Sequence, residues 1–499
     1  MIQPNENCPW SVPVPLQSSD FVPLFPAHAE CNMTVDPGRI GAYGYRREAY
    51  RTDQLLHADL QTMPYSHLAG RLGSGRSGFY RNWYLKGVGR TPLAANWNLR
   101  DFLHNTGHLA ASSAIREYVS SVYLAEMGDS DSIVSCTGVL VAELKPELRD
   151  LHRILYPDIS PETLPRVDRY LQALTVKEGG FARWSNFIWF LHHLTPGRID
   201  EGATDLATFA EVLAGSLTQQ KEPDPIHSEI QPETLAAMIA ESVVRTRHNY
   251  RRWFNRGIWW GSFSNNLTSD GRFLDLETPV ITGGPFFGTL SNMGLTDGAR
   301  IESSLVGIEL FNHLAGMKLV CTELVRVLSR LPRRFAALER EFAGELANEI
   351  RKKLLSRHSL IVNRGEAVDY VAEMMMERID LSSPAARRRL RLILESEYDA
   401  YFGKDPTANQ PLIEEETDLG YAELASIGPV HSEPPLHWRH RARRLDSELA
   451  IVPSDKEQRL GHGINQLISE LDRTTTPDSL LEKLAQVRRR IRTLVSETD

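Results

Sequence analysis

Cysteine is scarce in this chain: four residues, Cys8, Cys31, Cys136 and Cys321, stand far apart and form no C-x-x-C pair. That excludes a disulfide framework or a cysteine-based zinc site as the organising element. Long uncharged apolar runs are missing as well, and none approaches the ~18 residues that a membrane span needs. A basic excess is also absent: 56 Lys and Arg face 64 Asp and Glu, a formal charge of −8, so no nucleic-acid partner is indicated. The arginine triplets (Arg387, Arg388, Arg389 and Arg488, Arg489, Arg490) lie in helical, acid-interleaved segments and read as solvated faces. The opening "MIQPNENCPWSVPVP" has neither the basic flank nor the apolar centre of a signal peptide, so the expected location is the cytoplasm, away from membranes.

What remains is the composition of an ordinary globular protein, 41% hydrophobic and 24% charged over 499 residues, enough for two or three domains. Residues 1–40 read as an extended arm. Residues 41–185 mix β-type runs, "FYRNWYLKG" (79–87) and "IVSCTGVLVAEL" (133–144), with a helix over 111–128. Ile115, Tyr118, Val119 and Val122 give that helix its apolar stripe, and Gly128 stops it. Residues 186–410 turn mostly helical, interrupted by a hairpin. Residues 411–499 form a tail ending in the amphipathic "DSLLEKLAQVRRRIRTLV", whose apolar face is expected to pack on the helical lobe. A small β-rich lobe followed by a larger helical one is an α+β arrangement with room for a ligand cleft between them.

Four pieces of chemistry follow one another. Gly73, Gly75 and Gly78 make a G-x-G-x-x-G pattern, with Arg76 inside it, that runs into an apolar stretch. A dinucleotide fold would place a helix there. Lys86 ends that stretch and is suited to reach a phosphate. Glu117 sits mid-helix beside Ile115 and Tyr118, and a strand lysine with a helix glutamate is the pairing by which kinase folds orient the nucleotide-binding lysine. In "NNLTSDGRFLDLETP" (265–279), Asn266 and Asp275 flank an Asp270-Gly271 turn. Two oxygen ligands on adjacent hairpin strands can share one Mg²⁺, which prefers few protein ligands plus phosphate oxygens. Glycine loop, Lys, Glu, then Asn and Asp is the order of a protein-kinase-like bilobal fold.

The motifs "RLGSGRS", "LKGVGRTPL" and "SSAIREYVSS", with "VVRTRHNYRRWFNRGIWWGSFSNNL", resemble those of the selenoprotein O family of pseudokinase-fold protein adenylyltransferases. The similarity covers residues 65–290. It implies that Lys86 and Glu117 form the lysine–glutamate pair, that Asn266 and Asp275 hold Mg²⁺ or Mn²⁺, and that Arg183 of "GFARWSNF" holds an inverted ATP. AMP would then pass to a hydroxyl of a protein, peptide or small acceptor. The chain departs from the family at several points. Asn265 replaces the acid before the metal Asn, and an amide cannot act as a base. Asp275-Leu276-Glu277 replaces Asp-Tyr-Gly, so Glu277 is the candidate substitute base. A second nucleotide arginine falls at Val176, with Lys177 as its stand-in. An insertion, "AANWNLRDFLHN", precedes Glu117, and the family's C-terminal cysteine or selenocysteine motif has no counterpart in "VSETD". Two other functions remain open: a conventional phosphotransferase, and a non-catalytic nucleotide-binding scaffold.

Overall fold

The structure is a computed structural model. It describes residues 22–23, 30–33, 77–80, 83–87, 89–90, 109–144, 164–178, 181, 183–184, 187, 206–218, 230–259, 266–276, 280–281, 303–331, 333, 335–402 and 448–497. Within these the chain is α+β, with an antiparallel sheet segregated from a larger body of helices.

The five-stranded sheet has the order β2-β6-β7-β4-β3, from Glu30–Met33 (β2), Ser77–Tyr80 (β3), Trp83–Lys86 (β4), Cys136–Glu143 (β6) and Leu171–Glu178 (β7). The run over 79–87 thus belongs to two antiparallel strands rather than one. Central β7, "LQALTVKE", buries its first seven residues, because neighbouring strands cover both edges and packing covers its faces. A short pair, Val22–Pro23 (β1) with Gly89–Arg90 (β5), lies outside this sheet. A second, Ile258–Trp259 (β8) with Val280–Ile281 (β9), also stands apart from it.

Helix α1 (Ala111–Glu126) packs on β6 and β7. Its own N-cap, Ala110, has no side-chain acceptor, so the Ser112 amide in the first turn is satisfied from elsewhere. Asp168, on the short helix α2 (Arg166–Tyr170), accepts from Ser112 N at 2.7 Å and from Ser112 Oγ at 2.5 Å. A carboxylate there also complements the helix dipole. The helix ends at Glu126, just short of Gly128, the stop expected from the sequence, whose φ of 81° reverses the chain.

Among the described residues, six helices build the larger body: α3 (Leu206–Thr218), α4 (Pro232–Asn255), α5 (Ser303–Leu328), α6 (Ala337–Leu354), α7 (Arg364–Met376) and α8 (Pro384–Phe402). Leu235, Ile239, Val243, Tyr250 and Trp253 line the buried stripe of α4, which packs on α3, α6 and α7. A polar joint ties the two halves together. Asp129, just past α1, pairs with Arg252 Nε at 2.6 Å and with Arg256, while Trp253 Nε1 donates to Ser132 Oγ at 2.8 Å. Trp253 is therefore a packing residue, as its place in the helix suggests.

Among its described residues the C-terminal segment contains two helices, α9 (Asp455–Asp472) and α10 (Pro477–Ser496). The sequence reading identifies only the second and expects it on the helical lobe. Instead, both pack against α1, and α10 also meets β2 and β6. Leu480, Leu484, Val487 and Ile491 are fully buried there. Arg116–Asp472 at 3.0 Å and Glu126–Arg492 at 3.0 Å fix the contact at its ends. The reason lies in α1, whose burial covers most of its circumference and leaves an outer apolar face that needs a cover. Among the described residues, no helix is long and apolar enough to cross a membrane.

Candidate functional site

Strand periodicity places the first half of the site. Side chains two apart share a sheet face, and the register sets Lys86 opposite Thr175 and Tyr84 opposite Lys177. These four side chains converge with Glu117 of α1. Thr175 Oγ1 donates to Glu117 Oε2 at 3.3 Å, and Lys86 Nζ lies 3.8 Å from that same oxygen. Lys177 Nζ pairs directly with Glu117 Oε1. Gly87 ends β4 at φ 103°, and a Cβ there would stand 2.8 Å from Ala173 O and 2.9 Å from Leu109 Cβ. Only glycine lets the strand pass that close while holding Lys86 in place.

The second half comes from the hairpin over 266–276. Leu267 bridges Phe273, Leu274 N donates to Asn266 O at 3.0 Å, and Gly271 at φ 83° makes the turn. Helix α4 holds the turn through Asn249 Nδ2 to Gly271 O at 3.0 Å and Arg245 Nη1 to Asp270 O at 3.0 Å. Backbone bridges Ile133–Phe273 and Arg183–Thr268 pin its two strands to the segments after α1 and after β7. The last described turn delivers Asp275 to the sheet with φ 60°, a conformation uncommon for a residue with a Cβ. Backbone strain of this kind concentrates at functional sites.

Asp275 is the focus of the charges. Its Oδ1 accepts from Lys86 Nζ at 2.8 Å and from Lys177 Nζ at 3.3 Å, and Oδ2 lies 3.8 Å from Arg183 Nη1. Arg183 Nη2 donates to Tyr84 Oη at 2.6 Å, and both Lys177 and Arg183 stand over the Tyr84 ring, at 5.7 and 5.6 Å from its centre. Lys86 is 2% exposed and Glu117 and Lys177 0%, whereas the Asp275 side chain is 15% exposed and forms the open side of the cluster. Burial opposes ionisation of Asp275, yet Lys86, Lys177 and Arg183 together hold its carboxyl well below the usual carboxylate range. Burial, followed by the Glu117 carboxylate, pushes the nearby Cys136 thiol up, so that sulfur stays protonated.

Asn266 and Asp275 offer hard oxygen donors. Asn266 is 8% exposed, and its Oδ1 is buried with no hydrogen-bond partner among the described residues. An orphaned buried amide oxygen is costly unless something fills it, and a divalent cation shared with Asp275 would do so. No group of three or more His, Cys, Asp or Glu side chains suited to a metal occurs among the described residues. Mg²⁺ does not require one when phosphate oxygens complete its shell.

Lys86, Glu117, Lys177, Arg183 and Asp275 are thus gathered from four separate stretches of chain, with Asn266 on the same hairpin as Asp275. The lysine–glutamate pairing differs in detail from expectation. Glu117 engages Lys177 more closely than Lys86, because Lys177 projects from central β7 directly beneath α1 while Lys86 reaches across to Asp275. Gly78 lies within β3 opposite Leu85 rather than in a free loop. Gly73, Gly75, Arg76, Asn265 and Glu277 lie outside the described residues. Sequence reasoning passed over Tyr84, Thr175 and Gly87. The i, i+2 relation of Tyr84 to Lys86 and of Thr175 to Lys177 was the available signal. No protein-family model and no curated protein sequence matches the chain.

Proposed function

We propose that the chain is an ATP- and Mg²⁺-dependent transferase with a kinase-like bilobal arrangement, moving AMP from ATP to a hydroxyl of a protein, peptide or small acceptor. The observation that carries this reading is the meeting of Lys86 with Glu117 and Asp275, 31 and 189 residues away in the chain, at 3.8 and 2.8 Å. Strand lysine, helix glutamate and hairpin aspartate are the parts that phosphoryl-type chemistry uses to orient an oligophosphate.

In this reading Lys86 Nζ neutralises phosphate oxygens, Glu117 and Thr175 hold the ammonium groups in register, and Asn266 Oδ1 and Asp275 hold the cation. A bound Mg²⁺ would supply Lewis-acid stabilisation of charge on the phosphates. Arg183 and Lys177 add two more cations deep in the same cluster. Basic groups at that depth favour a triphosphate turned inward, and hence transfer of AMP over transfer of the γ-phosphate. The resemblance to the selenoprotein O family points the same way. Such transfer relies on positioning and charge stabilisation. Loss of a carboxylate at Asn265 would cost the general-base share, ~10²–10⁴-fold, and leave binding intact.

The test uses purified protein with Mg²⁺ or Mn²⁺ and ATP labelled separately at the α- and γ-phosphates, with Lys86→Met and Asp275→Ala alongside. Self-labelling and pyrophosphate release are both followed. The expected result is incorporation of α-label, or pyrophosphate release, that disappears in both variants. Incorporation of γ-label alone would make the chain a phosphotransferase. Nucleotide binding with no movement of either label would make it a scaffold.

A further inference from the structure

Glu117 reaches Lys177 only if α1 is rolled to face β7, and the residues around it show what sets that roll. At 3.6 residues per turn, Ser112 and Arg116 share a face about 100–140° round the helix from Glu117. Acids from two other elements hold that face. Ser112 N and Oγ donate to Asp168 of α2 at 2.7 and 2.5 Å, and Arg116 Nη2 donates to Asp472 Oδ2 of α9 at 3.0 Å. On the sheet side, one turn beyond Glu117, Ser121 Oγ accepts from Cys136 N at 2.8 Å and gives the helix a pivot. A group about 5–6 Å from a helix axis moves about 2 Å when the helix rolls by about 20°. That is enough to part Glu117 from Lys177.

Helix α9, 18 residues and so about 27 Å long, carries this hold to the body of helices. Asp472 is its last residue. Near its start, Glu457 Oε1 lies 2.7 Å from Arg378 Nη2, and Arg378 Nη1 donates to Phe254 O on α4 at 2.6 Å. Helix α4 also holds the hairpin that delivers Asp275. Lys86 and Lys177 each reach both Glu117 and Asp275, so the two carboxylates must stay in register. Helix α9 spans the elements that carry them. The charge on Asp472 lowers stability: burial pushes its carboxyl up to about 6 against the pull of Arg116, with Asp168 adding to the rise. Its Oδ1 is buried with no hydrogen-bond partner among the described residues. Such departures from local stability concentrate where function needs them.

We infer that Asp472 is a positioning residue for Glu117: through Arg116 it sets the roll of α1 and keeps the Glu117 carboxylate in register with Asp275. The consequence for a ligand rests on the nucleotide-binding reading of the cluster, whereas the placement of Glu117 is measurable without any ligand. Asp472→Ala removes the acceptor, and Arg116, 22% exposed, then turns to water.

A double-mutant cycle of Asp472→Ala with Glu117→Gln in the full chain, followed by urea denaturation at pH 7, tests the inference. Because Asp472 acts on Glu117 through α1, Glu117→Gln is expected to change the unfolding constant at least about fivefold less when residue 472 is already Ala. Effects that multiply to within about twofold would make Asp472 a local strut and overturn the inference, whatever any ligand does. Should Glu117→Gln be too unstable to measure, amide exchange over 171–178 in Asp472→Ala replaces the cycle. Exchange at least about fivefold faster than in wild type supports the placement of Glu117 through α1, and equal rates overturn it. Calorimetry with Mg²⁺–ATP reads the consequence for the ligand. Asp472→Ala is expected to bind at least about tenfold more weakly than wild type, and Asp472→Glu, which keeps the charge, to recover most of that loss. Equal affinity in wild type and Asp472→Ala counts against the inference. A coupled cycle in a protein whose wild type takes no Mg²⁺–ATP would keep the positioning role and remove the nucleotide reading.

Discussion

Replacing Lys177 by methionine isolates the least expected contact in the cluster. The side chain is fully buried, pairs with Glu117 Oε1 and lies 3.3 Å from Asp275 Oδ1. Methionine fills similar volume, so the loss is chiefly one of charge. Glu117 would retain Lys86 at 3.8 Å, an attraction of about 4 kcal/mol at an effective dielectric of ~20, and the Thr175 hydroxyl. Removing one member of a buried pair typically costs about 3–5 kcal/mol, because the other charge stays behind without water. The value here belongs near the lower end, since Lys86 remains. With ~2–4 °C lost per kcal/mol in a unit of ~150–250 residues, the melting temperature should fall by on the order of 10 °C. The double variant Lys177→Met, Glu117→Gln removes the stranded carboxylate, and should recover at least about 1–2 kcal/mol in a double-mutant cycle followed by urea denaturation. A Lys177→Met protein within about 0.5 kcal/mol of wild type, or a purely additive double variant, would refute the argument that Lys177 is the principal partner of Glu117.

Gly87→Ala forces a Cβ into a φ of 103° and against Ala173 O, so it should destabilise by about 2–3 kcal/mol, readable by denaturation, and under the proposed nucleotide-binding function it should weaken ATP binding through misplacement of Lys86, readable by calorimetry. At the contact between α9 and α1, burial pushes the Asp472 carboxyl up from 3.8 to about 6, with Arg116 pulling it down and Asp168 raising it further. A carboxyl whose folded pKa lies above its unfolded value adds stability that is fully present below about 3.8 and is lost as pH rises through about 6. Stability of wild type relative to Asp472→Asn should therefore decline by up to about 3 kcal/mol between pH 4 and 7, at ~1.4 kcal/mol per pKa unit, and a flat difference would contradict the assignment. Asp275 runs the other way: its folded pKa is depressed, so its contribution is present above about 3.8 and is lost only at lower pH, and Asp275→Asn should abolish that acid-side loss in denaturation at pH 2–4. Leu484→Ala, at the buried contact of α10 with α1, should cost about 2–5 kcal/mol and speed amide exchange over 111–126, where a change confined to α9 and α10 would mean that α1 does not depend on them.

Much of the site's inventory was legible because its signals are local. The spacing of Ile115, Tyr118, Val119 and Val122 determines a helix, and with it the position of Glu117. The Asp270-Gly271 turn determines that Asn266 and Asp275 flank a hairpin, since only glycine takes the positive φ there without strain. Residue chemistry also singled out Lys86, whereas Arg183 was named only through the family resemblance. Strand β7 was harder to name, because a central strand loses the alternation of polar and apolar residues that marks a half-exposed one. Which lysine meets which carboxylate was decided by tertiary structure. Lys86 and Lys177 are equivalent in sequence terms, and only the β4–β7 register and the placement of α1 over β7 give Glu117 chiefly to Lys177 and Asp275 to Lys86. The seat of the C-terminal helices was decided there too. An amphipathic stripe specifies that Leu480, Leu484, Val487 and Ile491 must be covered, but the covering surface is whichever apolar face the rest of the chain leaves open, and here that face belongs to α1.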